Sequence, residues 1–226
     1  FFVFTTTPMS CFSKIGDMES DQKDSLETNV YRYAVPGTLW QIGGKLDILD
    51  GVETNITLTS KHFSAELSIP TEHTCYGSGI SPPLSWTGSP KNTTSFVLIV
   101  DTLNATKSSE QTLWVLYNVP GEIRHIPENT VASHELKKIG TQGRNSSGRK
   151  GWQSPCPSED AMTKESYIFN LYALDTIIDI GVDGAHKDSV MKAIQGHVIG
   201  HGELLGRFCQ PDTPRVLTAS DGRCHK

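Results

Sequence analysis

Residues 76–86 read Tyr-Gly-Ser-Gly-Ile-Ser-Pro-Pro-Leu-Ser-Trp, and this stretch carries the most specific information about the fold. Pro82 and Pro83 have fixed φ angles and cannot donate a backbone hydrogen bond. The pair therefore predicts a stiff loop, and a loop of this rigidity can form one wall of a ligand pocket.

A second loop-forming stretch runs from residue 142 to residue 157. It contains Gln142-Gly143-Arg144-Asn145, then Gly148-Arg149, Gly151-Trp152 and Pro155-Cys156-Pro157. Glycines in such a run let the backbone approach a ligand closely, and the non-proline residues offer N–H groups. Taken alone, the pattern also fits a plain surface loop.

Short β-rich segments dominate the chain after residue 50. Each is rich in Val, Ile, Leu, Tyr or Phe and is bounded by Pro, Gly, Asn or Asp, which is typical of strands. The predicted strands are Ile56 to Ser60, Ala65 to Ile69, Ser95 to Asp101, Leu113 to Val119 and Tyr167 to Leu174.

The hydrophobic period changes between residues 175 and 200. Val190, Met191, Ile194 and Val198 fall on one face of a helix, and Gly196 and Gly200 favour its end within the same stretch. Strands first and a helix late predict an antiparallel sheet with helices at one end.

A third stretch completes a resemblance to a known family. It comprises Phe169, Leu171-Tyr172-Ala173-Leu174-Asp175, Gly196-His197-Val198 and Glu203-Leu204-Leu205-Gly206. The three stretches in this order resemble the phosphatidylethanolamine-binding protein family, in particular its bacterial-type, YbhB/YbcL-like branch, across residues 55–208. The resemblance implies a mainly β fold with C-terminal helices, in which a large antiparallel sheet packs with a smaller sheet. Residues 51–209 are predicted to form this domain, residues 1–50 an N-terminal extension and residues 210–226 a C-terminal tail.

The resemblance also implies a small surface cavity that holds a phosphate-like headgroup. Family members build it from an Asp-Pro-Asp-x-Pro strand end, a His in the next strand and a His-Arg-Tyr segment. Here only Asp101 remains of the first motif, Leu113 stands in place of the His, and Glu165-Ser166-Tyr167 replaces the third motif. Trp152, Pro155 and Cys156 of the second loop are expected around the same pocket.

These exchanges change the charge of the expected pocket. A carboxylate about 4 Å from a phosphate costs about 4 kcal/mol at an effective dielectric constant of about 20. We therefore expect anion affinity to be weak or absent, and the ligand to be small, polar and not strongly anionic. The alternative is that Glu165 turns outward and that Arg149 or Lys150 supplies positive charge.

Sugar-acceptor motifs predict a secreted or secretory-pathway protein. Four of the eight asparagines head an Asn-x-Ser/Thr motif, which exceeds chance: Asn55, Asn92, Asn104 and Asn145. The apolar start, Phe1 to Phe4, is consistent with the remnant of a signal peptide.

Five cysteines fit an oxidising compartment and match no zinc or redox spacing: Cys11, Cys75, Cys156, Cys209 and Cys224. Two bridges and one unpaired thiol can be arranged in fifteen ways. We predict a bridge between Cys209 and Cys224, which would close a short loop in the tail; reduced, buried cysteines are the alternative.

Several function classes are disfavoured. The net charge of -5 offers no general attraction for nucleic acid, and no apolar run is long enough to span a bilayer. His197 and His201 have the spacing of metal ligands on a helix, but Gly200 interrupts such a helix, so no metal and no cofactor are expected.

Enzymatic function is disfavoured as well. The sequence has no Gly-x-Ser-x-Gly motif, and the resemblance makes Asp101 and Glu165 parts of an altered binding site rather than a glycosidase pair. We expect a non-enzymatic secreted protein that binds a small polar ligand or an extracellular protein. The alternative is an extracellular structural or interaction protein, or a protease inhibitor, that uses the fold without a ligand.

Overall fold

The computed structural model describes residues 30–35, 38–43, 47–49, 52, 56–103, 111–130, 139–156, 165–181, 185–208, 216–217 and 224–225. The chain divides into two units, Phe1–Leu46 and Asp47–Lys226. The second unit begins before the boundary expected at residue 51, because Ile48 is buried in its core.

The second unit is mainly β, and the first unit contains the two strands that come first in the chain. In chain order the strands are β1 (Val30–Val35), β2 (Thr38–Gly43), β3 (Thr57–Ser60), β4 (Leu84–Thr87), β5 (Ser95–Leu103), β6 (Thr112–Pro120), β7 (His125–Ile126), β8 (Thr141–Gln142), β9 (Glu165–Leu174), β10 (Val198–Phe208), β11 (Val216–Leu217) and β12 (Cys224–His225). The α-helix of the described part, α1, is Lys187–Ala193. Two short 3₁₀ helices span Asp47–Leu49 and Thr71–His73.

Two antiparallel sheets organise this unit. The larger has the strand order β10-β9-β5-β6-β8, and the smaller has the order β3-β4-β7. The pairs β1–β2 and β11–β12 form separate two-stranded sheets. A mainly β fold with a large and a small antiparallel sheet was the sequence expectation, and it is confirmed.

The large sheet is buried on both faces, which explains the nearly continuous apolar run of β5. Side chains on a strand alternate between faces, so neighbouring residues join different cores. Phe96 and Leu98 pack with Trp86 of the small sheet, whereas Val97 and Ile99 pack in the cluster that contains residues of α1.

The helical region is shorter than the sequence pattern indicates. Helix α1 ends at Ala193, and Ile194 forms its C-cap. Val198, which the pattern places on the helix face, begins β10 instead. Gly196 has a φ of 79°, a left-handed conformation that lets the chain reverse between helix and strand.

Residues 65–69 were expected to form a strand but do not. Glu66 has a φ of 65°, which is incompatible with a strand, and the amide of Leu67 donates to the carbonyl of Ser64. Ser68 forms an isolated bridge with Arg207 of β10, and the amides of Glu66 and Ile69 donate to the carbonyls of Leu205 and Arg207. The segment is therefore a turn that lies along the large sheet.

Candidate functional site

The end of β5 carries the first predicted site residue, Asp101. Its carboxylate is 3% exposed and accepts a hydrogen bond from the Thr112 hydroxyl at 2.8 Å. Lys187 Nζ of α1 lies 3.0 Å from the second carboxylate oxygen. A buried carboxylate needs such partners, so Lys187 balances much of the negative charge of Asp101.

Lys187 was missed by the sequence analysis. It lies 86 residues from Asp101 in the chain, at the start of a short helix, and no motif marks it. It comes near the carboxylate because residues of α1 pack in the same cluster as Ile99, two residues before Asp101 in β5.

Glu165 and Tyr167 form a buried pair on β9. They lie two residues apart and share one face of the strand. The Tyr167 hydroxyl donates to Glu165 Oε2 at 2.7 Å, and both residues are almost completely buried. Burial first, and then the charge and hydrogen bond of Glu165, raise the pKa of Tyr167, which keeps its hydroxyl protonated.

This geometry decides between the two expectations for Glu165. The side chain points inward rather than out to solvent, whereas Arg149 and Lys150 are exposed on their loop. The carboxylate therefore contributes negative potential within the protein, beside Tyr167.

Leu113 lies in the core and is 2% exposed. It belongs to the cluster between the two sheets, as do its neighbour Trp114 and the partly buried Trp152. An aliphatic side chain here offers neither charge nor a hydrogen bond to a ligand.

Aromatic packing holds Trp152 in place. Its ring stacks on Phe169 with a centroid distance of 6.2 Å and meets Trp114 edge-on at 5.6 Å. Trp114 Nε1 donates to Gln142 Oε1 at 2.7 Å. This network ties β6, β8, β9 and the loop after β8 together.

Three buried polar atoms of this region have no hydrogen-bond partner in the described part of the chain. They are Trp152 Nε1, Gln142 Nε2 and Gln153 Oε1. Buried polar groups are nearly always satisfied by protein or water, so two donors and an acceptor are available to a water molecule or a neutral polar ligand. The sequence analysis named Trp152 as a site residue and Gln142 as part of the second loop, but it assigned no role to Gln142 and did not name Gln153.

Asn145, one of the predicted glycan acceptors, organises the loop. Its side chain is 2% exposed, and Nδ2 donates to the Gly151 carbonyl. Its Oδ1 accepts hydrogen bonds from Ser147 N and Oγ and from Arg149 N. A sugar on Nδ2 would break this arrangement.

The other predicted glycan sites differ from Asn145. Asn92 is exposed in a turn before β5 and remains open to modification. Asn55 and Asn104 lie outside the described residues.

A disulfide joins Cys75 to Cys156, with the two Cα atoms 5.3 Å apart. The Cys75 amide also donates to the Pro155 carbonyl at 3.0 Å. Cys156, expected to line the pocket, is thus part of the bridge that fastens this loop to the segment before residue 76. Cys209 lies outside the described residues, so its predicted bridge to Cys224 stays a prediction.

The histidine pair with helical spacing does not share a helix. His197 is exposed and pairs with Asp175 at 2.9 Å, whereas His201 is buried on β10 and contacts Asn170. Burial lowers the pKa of His201 to about 4. The described helices also include none of the length and apolarity required to cross a membrane.

Comparison with known proteins places this region in a wider group. A family model described as phosphatidylethanolamine-binding protein matches residues 59–209. A UPF0098 protein of Methanothermobacter thermautotrophicus is 39% identical over 153 residues, which are 68% of this chain and 98% of that protein. A UPF0098 protein of Chlamydia trachomatis is 33% identical over 155 residues, 67% of this chain and 97% of that protein.

Two solved structures are similar to the present one. A putative phosphatidylethanolamine-binding protein homolog of Chlamydia trachomatis has a TM-score of 0.61 at 31% identity and covers 70% of this chain and 99% of its own. Escherichia coli YbcL, described as a member of the mammalian PEBP family, has a TM-score of 0.63 at 24% identity, covering 69% and 98%. The second likeness concerns the fold alone.

Proposed function

This chain belongs to the phosphatidylethanolamine-binding protein family, and from that premise we propose that it is a non-enzymatic secreted binding protein with weak or no affinity for phosphate headgroups. Its ligand is small, polar and uncharged. The buried Glu165–Tyr167 pair is the observation that carries the proposal.

Electrostatics support the loss of anion affinity. Phosphate sites depend on charge-assisted hydrogen bonds from cations or backbone N–H groups. Leu113 supplies no donor, and Glu165 supplies a buried carboxylate whose hydrogen bond already occupies Tyr167. Lys187, a cation of the described part of this region, lies 3.0 Å from Asp101 and balances its charge.

The unsatisfied polar atoms support a neutral ligand. Trp152 Nε1 and Gln142 Nε2 are donors, and Gln153 Oε1 is an acceptor. Hydroxyl and amide groups of a ligand can pair with such atoms without introducing a charge. Ligand sites typically combine apolar and aromatic walls with a few such polar groups.

Two observations support secretion. The Cys75–Cys156 bridge fits an oxidising compartment, and Asn92 is an exposed acceptor for N-linked sugar. Mass spectrometry of the native, unreduced protein tests this part of the proposal. A glycan on Asn92 together with the bridge is expected, and an unmodified, fully reduced chain would contradict it.

An interaction protein is the second candidate. The β1–β2 hairpin lies in the first unit and outside the residues that match the family model, so it adds surface that ligand binding in the family domain does not require. A stoichiometric protein partner that binds the full chain but not residues 47–226 would favour this candidate.

The central experiment is a nuclear magnetic resonance titration with phosphorylethanolamine and with inorganic phosphate. We expect no saturable shift at Tyr167, Asp101 or Trp152 at millimolar ligand. Saturable shifts at these residues would establish ordinary headgroup binding and overturn the proposal. A parallel screen of neutral polyols and amides, followed by the indole N–H resonance of Trp152, identifies the ligand class.

A further inference from the structure

Two histidines and two glutamates converge outside the pocket region. His62 follows β3, Glu72 and His73 lie in the second 3₁₀ helix, and Glu128 follows β7. The group therefore joins three segments that are distant in the sequence. None of these residues belongs to the motifs on which the family resemblance rests.

The distances within this group are those of metal ligands. His62 Nδ1 lies 2.9 Å from His73 Nε2 and 3.1 Å from Glu72 Oε1, and His73 Nε2 lies 3.4 Å from the same oxygen. Glu128 Oε2 is 3.9 Å from His62 Nδ1. Ligands bound to zinc at about 2.0 Å in a tetrahedron are about 3.3 Å apart. One ion therefore fits between the ligand atoms of His62, Glu72 and His73, which all lie within 4.8 Å of one another.

The tautomer of His73 is set for metal binding. His73 is fully buried, and its Nδ1 lies 3.0 Å from the Ile80 carbonyl, an oxygen that can only accept a hydrogen bond. Nδ1 therefore carries the proton, and the lone pair of Nε2 faces His62 and Glu72. A backbone carbonyl that orients a histidine in this way is a usual outer partner of a metal ligand.

Hydrogen bonding alone satisfies this group poorly. A proton on His62 Nδ1 would face three acceptors within 3.9 Å: the His73 lone pair and the carboxylates of Glu72 and Glu128. A single hydrogen serves one of them well. A divalent cation interacts favourably with all four groups at once.

Glu128 is held in position by its own loop. The amide of Asn129 donates to the Ser81 carbonyl at 3.0 Å, and the amide of Thr130 donates to Ser81 Oγ at 2.8 Å. These bonds fasten the loop after β7 to the stretch that also contains Ile80. The backbone of Glu128 is thereby placed so that its half-exposed carboxylate reaches 3.9 Å from His62 Nδ1.

We propose that His62, Glu72 and His73 bind one divalent transition-metal ion, with zinc as the best match and with Glu128, next to His62, completing the coordination as the fourth ligand. Two imidazoles and two carboxylates in a tetrahedral arrangement suit zinc, whereas calcium and magnesium prefer oxygen ligands alone. The ion ties the segment after β3, the second 3₁₀ helix and the loop after β7 together. The role is structural, at a position separate from the Glu165–Tyr167 pair.

Calorimetric titration of the tag-free, chelator-treated chain with Zn²⁺ tests the site. One equivalent of zinc is expected to bind, to raise the melting temperature and to resist Mg²⁺ and Ca²⁺ competition. Co²⁺ is expected to give the visible absorption of a four-coordinate complex. A wild-type chain that binds no zinc would overturn the proposal.

Substitution of the exposed ligands His62 and Glu72 tests where the ion binds without disturbing the packing of the core. His62→Ala and Glu72→Gln are each expected to lower zinc affinity by about 100-fold or more, since even outer partners of metal ligands contribute about 10–100-fold. His197→Ala is the matched control, because His197 is exposed and pairs with Asp175, and it should retain full affinity. Unchanged affinity in His62→Ala would place the ion elsewhere and contradict the proposal.

Discussion

At the scale of single residues, we propose that Leu113 and Glu165 weaken the anion affinity of the pocket region. The variant Leu113→His with Glu165→His removes a buried carboxylate and adds two imidazoles. We expect its affinity for phosphorylethanolamine to rise at least about tenfold, which corresponds to about 1.4 kcal/mol. Calorimetry at pH 6, where imidazoles are largely protonated, measures this change.

Glu165→Gln separates the effect of removing the carboxylate charge from the effect of adding imidazoles in the same experiment. It removes the negative charge without adding a cation, so its affinity should lie between those of the wild type and the double variant. An affinity of the double variant no higher than that of the wild type would show that these residues do not control anion binding.

His201 makes stability depend on pH. Burial lowers its pKa to about 4, while the unfolded chain takes up the proton near pH 6.5. Stability is therefore complete above pH 6.5 and falls as the pH decreases through this window, by about 2 kcal/mol at pH 5. Urea unfolding at pH 7.5 and pH 5 measures the difference.

The variant His201→Phe tests the assignment, because it keeps a ring beside Tyr172 and cannot titrate. Between pH 7.5 and pH 5, the free energy of unfolding of His201→Phe should fall by about 2 kcal/mol less than that of the wild type. The exposed variant His197→Ala should keep the wild-type dependence. Equal acid sensitivity in His201→Phe and the wild type would remove His201 as the cause.

Residues within a motif could be located from the sequence, and isolated partners could not. Asp101, Leu113, Glu165 and Tyr167 occupy positions that the family pattern fixes. The contacts of Lys187 and Gln142 became visible only in three dimensions, because their partners Asp101 and Trp114 lie 86 and 28 residues away in the chain. The same holds for the His62–Glu128 contact.

Gly202 controls how closely two elements approach. A Cβ at this position would lie 2.4 Å from the Ile56 carbonyl oxygen, where β10 passes the segment before β3. The Ile56 amide donates to the His201 carbonyl at the same place. We expect Gly202→Ala to destabilise the protein by about 1–3 kcal/mol, because backbone must shift.

Gly181→Ala is the matched control for this prediction. A Cβ there meets nothing within 4 Å, so urea unfolding should show little change. Equal stability of Gly202→Ala and the wild type would mean that the close approach is not required.

Strand β10 shows why some strands are not predicted from the sequence. Its sequence contains Gly200, Gly202 and Gly206, which resemble turn signals. In the structure, Gly202 and Gly206 leave room for Ile56 and Ile69. The long central strands β5, β6 and β9 were predicted because their burial on both faces produces continuous apolar runs.

The Cys75–Cys156 bridge acts on the stability of the whole molecule. It connects residues 81 positions apart, so it restricts the unfolded chain strongly. The chain-entropy account gives about 4 kcal/mol for a loop of this length. We expect Cys156→Ser to lower the free energy of unfolding by a few kcal/mol, measured with urea under non-reducing conditions.

Cys209→Ser serves as the comparison for this bridge. Cys209→Ser should lower the free energy of unfolding as much as Cys156→Ser does only if the predicted Cys209–Cys224 bridge also constrains the folded domain. Full stability of Cys156→Ser would contradict the role assigned to the Cys75–Cys156 bridge.

At the scale of the molecule, the family domain was predictable and its flanks were not. Ordered motifs across residues 55–208 specify the sheet pairing, since each motif has a fixed place in the fold. The cysteine pairing was left open because any of the fifteen two-bridge patterns satisfies the sequence alone. Only the spatial approach of the second loop to Cys75 selects Cys156.

A crystal structure determined in excess phosphorylethanolamine tests the altered pocket most directly. For the wild type we predict that no phosphate is bound beside Tyr167, whose hydroxyl keeps its hydrogen bond to Glu165. Crystals of the Leu113→His, Glu165→His variant grown in the same solution should contain the phosphate. A phosphate seated on Tyr167 or Asp101 of the wild-type chain would contradict the account.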